Sequence, residues 1–160
     1  KFDKNGELAN AGKVDQLILN QAIDNFKINS YSQSLDIKNF DVSFARGLSL
    51  EDGCATITNF TAYLIAQGLE YISQKNTIIF LVCGGGRKNS TLISSIKNYL
   101  STTNNIDLEI IDNYHLNGDY IESQAFGFLA IRSFLNLPIS FKSTTGCKEF
   151  TVGGKLVENF

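Results

Sequence analysis

Thr77-Ile-Ile-Phe-Leu-Val-Cys83 runs straight into Gly84-Gly85-Gly86, and these ten residues decide the fold. The first seven carry no charge and are rich in β-branched types, which predicts a strand buried on both faces of a parallel sheet. The glycines end it. A helix is predicted from Ser90 to Leu100, with Asn89 or Ser90 as its cap and Leu92, Ile93 and Ile96 turned inward. The next strand is Asp107-Leu-Glu-Ile-Ile-Asp112. Strand, helix and strand in so short a span make a βαβ unit, so the sheet is at least partly parallel.

Upstream, Val14, Leu17, Ile18, Ala22 and Phe26 recur at helical spacing and predict an amphipathic helix over 13–26. Residues 27–50 hold no period and read as a long loop. A longer helix is predicted over 52–72, with Ile57, Phe60, Leu64, Ile65, Leu69 and Ile72 as its apolar stripe. Downstream, a helix is expected from Asp119 to Leu135, closed by Pro138. The tail, with Thr144-Thr145-Gly146 and Gly153-Gly154, reads as turns and a short strand.

Composition narrows the function. The 160 residues suit one domain spanning 1–160, able to bury roughly two-thirds of its unfolded surface without metals or disulfides. Net charge is −2, and no basic cluster exceeds the Arg87-Lys88 pair, which argues against a nucleic-acid partner. No apolar run approaches the ~20 residues that cross a bilayer. Cys54, Cys83 and Cys147 are odd in number and lack a C-x-x-C pair, fitting buried thiols in a reducing cytoplasm. The chain holds no Met and opens on Lys1, so the expectation is a piece of a longer polypeptide.

Three glycines between a buried strand and a helix N-terminus let a ligand approach the backbone, and free amides there attract phosphate. A tight turn needs the same residues. Neither G-x-x-x-x-G-K-[ST] nor G-x-G-x-x-G fits. Ligands of open α/β sheets collect beyond the carboxyl ends of the strands, where both Gly84 to Arg87 and the 113–118 loop should lie. Glu122, in the first turn of the helix leaving that loop, is the candidate polar contact, although Asp119-Tyr-Ile-Glu122 also has the spacing of a capping box. Asp112 could polarise a hydroxyl or turn the chain. Arg87 and Lys88 could meet phosphates or stand solvated. His115, the only histidine, has no partner at metal-ligand spacing, and no nucleophile–base–orienter set is visible. Phe126, Phe128 and Leu129 read as core or interface, and Ser143 to Gly146 as a binding turn or a plain one.

Four motifs in order carry a resemblance: Val82-Cys-Gly-Gly-Gly-Arg-Lys-Asn89, Gly118-Asp-Tyr-Ile-Glu-Ser-Gln-Ala-Phe-Gly-Phe-Leu-Ala130, Leu137-Pro138 and Ser143-Thr-Thr-Gly146. With Phe2-Asp-Lys-Asn-Gly6, Gly12-Lys-Val-Asp15 and Glu51-Asp52 ahead of Ala55-Thr56, they resemble the C-terminal part of anhydro-N-acetylmuramic acid kinases. The resemblance implies an α/β fold that is one lobe of an actin-like (ribonuclease H-like) kinase, a partly parallel sheet flanked by helices, whose N-terminal lobe is absent here. It implies that Gly84, Gly85, Gly86 and Asn89 border ATP with Mg²⁺, and that Glu122 stands near the anhydro sugar. The implied reaction opens the 1,6-anhydro bridge with water while O6 accepts the γ-phosphoryl group, giving N-acetylmuramic acid 6-phosphate for bacterial peptidoglycan recycling. The family's base lies in an Asp-x-Gly-Pro-Gly-Asn stretch; Pro138 is the only proline, so no catalytic base is expected in this chain and the chain alone is expected to be inactive. Lys88 stands where the family usually has His, and Ser34-Leu-Asp-Ile-Lys38 replaces a more typical Thr-Gly-Arg-Glu run. The competing readings are a non-catalytic nucleotide- or sugar-binding remnant or interaction module, and a related kinase acting on another amino sugar. Strands expected upstream would leave a sheet edge open, to be covered by a second copy as a homodimer or by a neighbour.

Overall fold

Ile78–Val82 forms β1 and Ile106–Ile110 forms β2, paired in parallel from Ile78 opposite Ile106 to Val82 opposite Ile110. The computed structural model describes residues 2–26, 37–73, 77–103 and 105–157. Among them the sheet has these two strands, and there are six α-helices: α1 (Glu7–Ala11), α2 (Gln16–Asn25), α3 (Leu50–Ser73), α4 (Ser90–Leu100), α5 (Ile121–Phe134) and α6 (Lys142–Thr145). The class is α/β. The crossover from β1 through α4 to β2 is the unit expected from the sequence.

One face of the sheet is covered. Ala62 and Ala66 of α3, Ile96 and Leu100 of α4 and Leu108 of β2 form a buried cluster, with Phe80, Val82 and Ile106 packed against it. The small side chains of α3 let α4 come close. A second cluster joins Leu19 and Ala22 of α2 to Phe60 of α3, with Phe26 and Phe44 edge-on to the Phe60 ring.

The other face is open: Ile79 is 54% exposed and Leu81 44%. The expectation of a strand buried on both faces is therefore corrected. A charge-free run records what a strand can bury, whereas the described helices pack on one side only. The same cause leaves α5 without a buried residue, so Phe126 and Phe128 are surface here, not core.

Two apolar stripes also need correction. On α2, Leu17 is exposed and Leu19 takes the core position. On α3, Ile65 and Ile72 are exposed while Ala55, Thr56, Ala62 and Ala66 are buried, because this helix is gripped by α1 and α2 on one side and α4 on another. Hydrophobic ranking undervalues alanine at a close helix crossing. Helix ends follow their caps: the Asp15 carboxylate accepts the Ile18 amide (3.0 Å), Ser49 Oγ accepts that of Asp52 (3.1 Å), and Asn89 Oδ1 accepts that of Leu92 (2.9 Å). At the end of α5, Asn136 adopts a left-handed conformation (φ 53°) and Leu137 N–H reaches back to Arg132 O, closing the helix before Pro138 is reached.

Of the expected 27–50 loop, residues 27–36 lie outside the described residues. The remainder has 3₁₀ turns at Ile37–Asn39 and Ser43–Ala45 before α3 begins at Leu50. In the tail, Ser140 and Thr151 make an antiparallel bridge around α6.

Candidate functional site

Gly84 leaves β1 with φ 74° and ψ −176°, a region closed to residues with a Cβ. A 3₁₀ turn over Gly85–Lys88 then delivers the chain to Asn89, the cap of α4. A Cβ built on Gly84, Gly85 or Gly86 would meet nothing within 4 Å, so the outer side of this turn borders open space. All three glycines and Asn89 are thus gathered where the sequence puts them. Asn89 spends its side-chain oxygen on the cap, and Gly6 presses against that same side chain with no room for a Cβ.

The second loop starts at the end of β2 with a 3₁₀ turn over Ile111–Tyr114 and His115 in a left-handed conformation (φ 60°). It meets the glycine turn directly: Gly84 N–H donates to Gly118 O at 2.9 Å. Both loops lie beyond the carboxyl ends of the parallel strands, the position where open α/β sheets hold ligands.

Arg87 binds them together. Its Nε donates to Asp112 Oδ2 at 2.6 Å and its Nη2 to Asp112 Oδ1 at 3.1 Å, while Nη1 donates to Asp119 Oδ1 at 2.6 Å and to Gly84 O at 2.9 Å. Lys88 Nζ takes the other oxygen of Asp119 at 2.7 Å. Arg87 is 8% exposed, so its charge is paired as burial requires. The hydrogen bonds to Asp112 and then Asp119 raise the guanidinium's pKa further, and Arg87 with Lys88 pulls the Asp119 carboxyl down to about 2. Asp112 is lowered chiefly by Arg87.

This network revises four readings. Arg87 is neither solvated nor free for phosphate, and Lys88 is paired. Asp112 anchors a guanidinium. The capping box does not form: α5 begins at Ile121 after Tyr120, no side chain caps it, and Asp119 serves Arg87 and Lys88 instead. Glu122, in the first turn of α5, is exposed, and its carboxylate has no hydrogen-bond partner among the described residues. His115 is exposed in its loop. Ser143 to Thr145 is helical rather than a turn, ending at Gly146 (φ 68°). Cys83 is exposed and Cys54 and Cys147 are half-buried, which corrects the expectation of three buried thiols, and all three cysteines are free.

The upstream motifs turn out to be braces. The Asp3 carboxylate accepts the Leu8 and Ala9 amides, Thr91 Oγ1 donates to Gly6 O, Asp52 accepts Lys13 N–H, and Thr56 accepts Asp15 N–H. These contacts tie the N-terminal segment to the start of α3 through Asp52 and Thr56 and to the first turn of α4 through Thr91, beside the glycine turn. Among the described residues no group of three or more His, Cys, Asp or Glu could hold a metal ion, and no helix is long and apolar enough to cross a membrane.

The sequence pattern of the family described as Anhydro-N-acetylmuramic acid kinase matches residues 1–159. The chain belongs to the anhydro-N-acetylmuramic acid kinase family. Relatives bearing that name include those of Pelagibacter ubique, 50% identical over 100% of this chain, and Rhizobium rhizogenes, 37% identical over 99%. That of Zymomonas mobilis is 34% identical over 97%. The chain spans 44%, 42% and 41% of these three relatives, less than half of each. Arg87 is the residue that sequence reasoning undervalued; the signal was a basic residue straight after the glycines with an Asp at each end of the facing loop.

Proposed function

We propose that this chain is the second-lobe half-site of an ATP-dependent kinase that opens the 1,6-anhydro ring of anhydro-N-acetylmuramic acid and phosphorylates O6. The observation that carries the reading is the joining of two loops, Gly84–Gly86 and Gly118–Glu122, at one end of a parallel sheet within a chain of this family. In it, Gly84, Gly85 and Gly86 present backbone to the nucleotide, Asn89 holds the helix whose N-terminus faces the phosphates, and Glu122 accepts hydrogen bonds from the sugar's hydroxyl or amide groups. The absence of any cap duty on Glu122 leaves its carboxylate available for that task.

Bound ATP supplies the phosphoryl group, and Mg²⁺ neutralises its developing charge. With no acidic cluster for a metal among the described residues, Mg²⁺ would enter on the nucleotide's phosphates. The base that activates water belongs to a segment beyond these 160 residues, since no Asp-x-Gly-Pro-Gly-Asn stretch occurs in them. General-base help and phosphate positioning are worth ~10²- to 10⁴-fold and more, so the chain alone should not turn over.

The fold reading is one lobe of an actin-like kinase formed by residues 1–160 as a single domain, with the open face of β1 covered by the rest of the family's longer chain. Three free thiols fit a cytoplasmic setting. Calorimetric titration of the chain with ATP–Mg²⁺ and with 1,6-anhydro-N-acetylmuramic acid tests this. Binding of both without product formation is expected. Binding of neither would leave an inert interaction module and overturn the half-site.

A further inference from the structure

Arg87 occupies a position that a surface cation does not. Its side chain is buried, it uses the guanidinium fork on two carboxylates 25 and 32 residues away, and it returns a bond to the carbonyl of Gly84. Gly118 lies flat on it: a Cβ there would fall 2.4 Å from Arg87 Nε. The loop that leads into α5 is therefore moulded on one guanidinium, with backbone, Asp112 and Asp119 all contributing. The two carboxylates stay close to half exposed (42% and 45%) while the guanidinium they share is buried. A lone exposed ion pair tolerates rearrangement, but a planar fork held at once by both oxygens of Asp112, by Asp119 and by Gly84 O has one geometry.

Asp119 lies only three residues before Glu122. A shift of the glycine turn that carries Arg87 must either break these bonds or move the start of α5. We propose that Arg87 is a positioning residue that fixes the glycine turn relative to Glu122, so that occupancy of the nucleotide turn and of the sugar contact are energetically coupled. The inference rests on the half-site reading above and adds to it the residue that couples the two ligands. Lysine can substitute only in part, because its ammonium is a point charge without the fork that spans Asp112, Asp119 and Gly84 O.

The coupling is measured directly by calorimetry as the change in affinity for the Mg²⁺ complex of a non-hydrolysable ATP analogue when 1,6-anhydro-N-acetylmuramic acid is saturating. Coupling factors between sites are typically ~5- to 150-fold, and the reciprocal titration must return the same factor. Wild-type chain should show at least about fivefold. Arg87→Met should bind each ligand separately with a factor near one, and Arg87→Lys should fall between. Asp119→Asn, which leaves the Asp112 bonds in place, should lower the factor and decides the matter if Arg87→Met does not fold. A wild-type factor of one, or an undiminished factor in the variants, overturns the role of Arg87 alone. If wild type binds neither ligand, the half-site reading falls and this inference falls with it.

Discussion

Leu108 and Leu81 are the same residue type on the two strands of one sheet, facing opposite ways. Leu108 is 5% exposed against Ala62, Ala66, Ile96 and Leu100, whereas Leu81 is 44% exposed. Leu108→Ala removes three carbons at ~0.8 kcal/mol per buried methylene, and the short alanines of α3 cannot swing in to refill the space. The transfer and cavity terms together should cost about 3 kcal/mol, within the ~2–5 kcal/mol seen for such changes. Leu81→Ala loses roughly half a transfer term and leaves no cavity, so it should cost about 1 kcal/mol. At ~2–4 °C per kcal/mol for a domain of this size, the melting temperature should fall by ~6–12 °C for Leu108→Ala and ~2–4 °C for Leu81→Ala. Urea unfolding followed by circular dichroism and by fluorescence checks both the costs and two-state behaviour. Equal losses in the two variants would refute the one-sided sheet. When the chain is joined to the rest of a family member, Leu81→Ala should become as costly as a core change, ~2–3 kcal/mol.

Three further outcomes follow from particular contacts. Gly12→Ala would drive a Cβ to 2.0 Å from the Glu51 carbonyl oxygen, backbone against methyl, and should cost about 2 kcal/mol or more, read as a lowered urea midpoint. Asn89→Ala should cost ~1 kcal/mol by uncapping α4, while Asn89→Ser should keep most of that stability; equal losses would show the amide doing something beyond the cap. The Asp119 carboxyl is held at about 2 in the folded chain, below its unfolded value of ~3.9, so its contribution is fully present above pH ~4 and is lost as pH falls toward 2. The urea midpoint should therefore drop across that window, and Arg87→Met, which removes the main partner of both Asp119 and Asp112, should flatten the drop.

The βαβ unit was legible because three local signals agreed: a charge-free β-branched run, glycines at its end, and an Asn with Leu92, Ile93 and Ile96 at helical spacing. The helix expected over 13–26 was legible from its apolar spacing alone, and the structure trims it to Gln16–Asn25 behind the Asp15 cap. What failed is what depends on neighbours far along the chain. Whether Ile79 and Leu81 are covered is decided by elements other than β1 itself, and periodicity counted Ile65 and Ile72 above Ala62 and Ala66, although close helix contact favours the small residues. Glu122 was placed correctly in the first turn of α5, but the spacing of Asp119 and Glu122 suggested a capping box. That box loses because Asp119 meets two cations from a turn over thirty residues earlier. Arg87 was the hardest to judge, since nothing local distinguishes a solvated arginine from one enclosed by Asp112, Gly118 and Asp119.

The most direct test of the half-site is a phosphorylation assay with ATP–Mg²⁺ and 1,6-anhydro-N-acetylmuramic acid, following N-acetylmuramic acid 6-phosphate by mass spectrometry. It compares this chain alone with the same chain joined behind the unmatched part of the Pelagibacter ubique relative. Product from the joined protein and none from the chain alone is the predicted result. Product from the chain alone, or none from a folded joined protein, would contradict it.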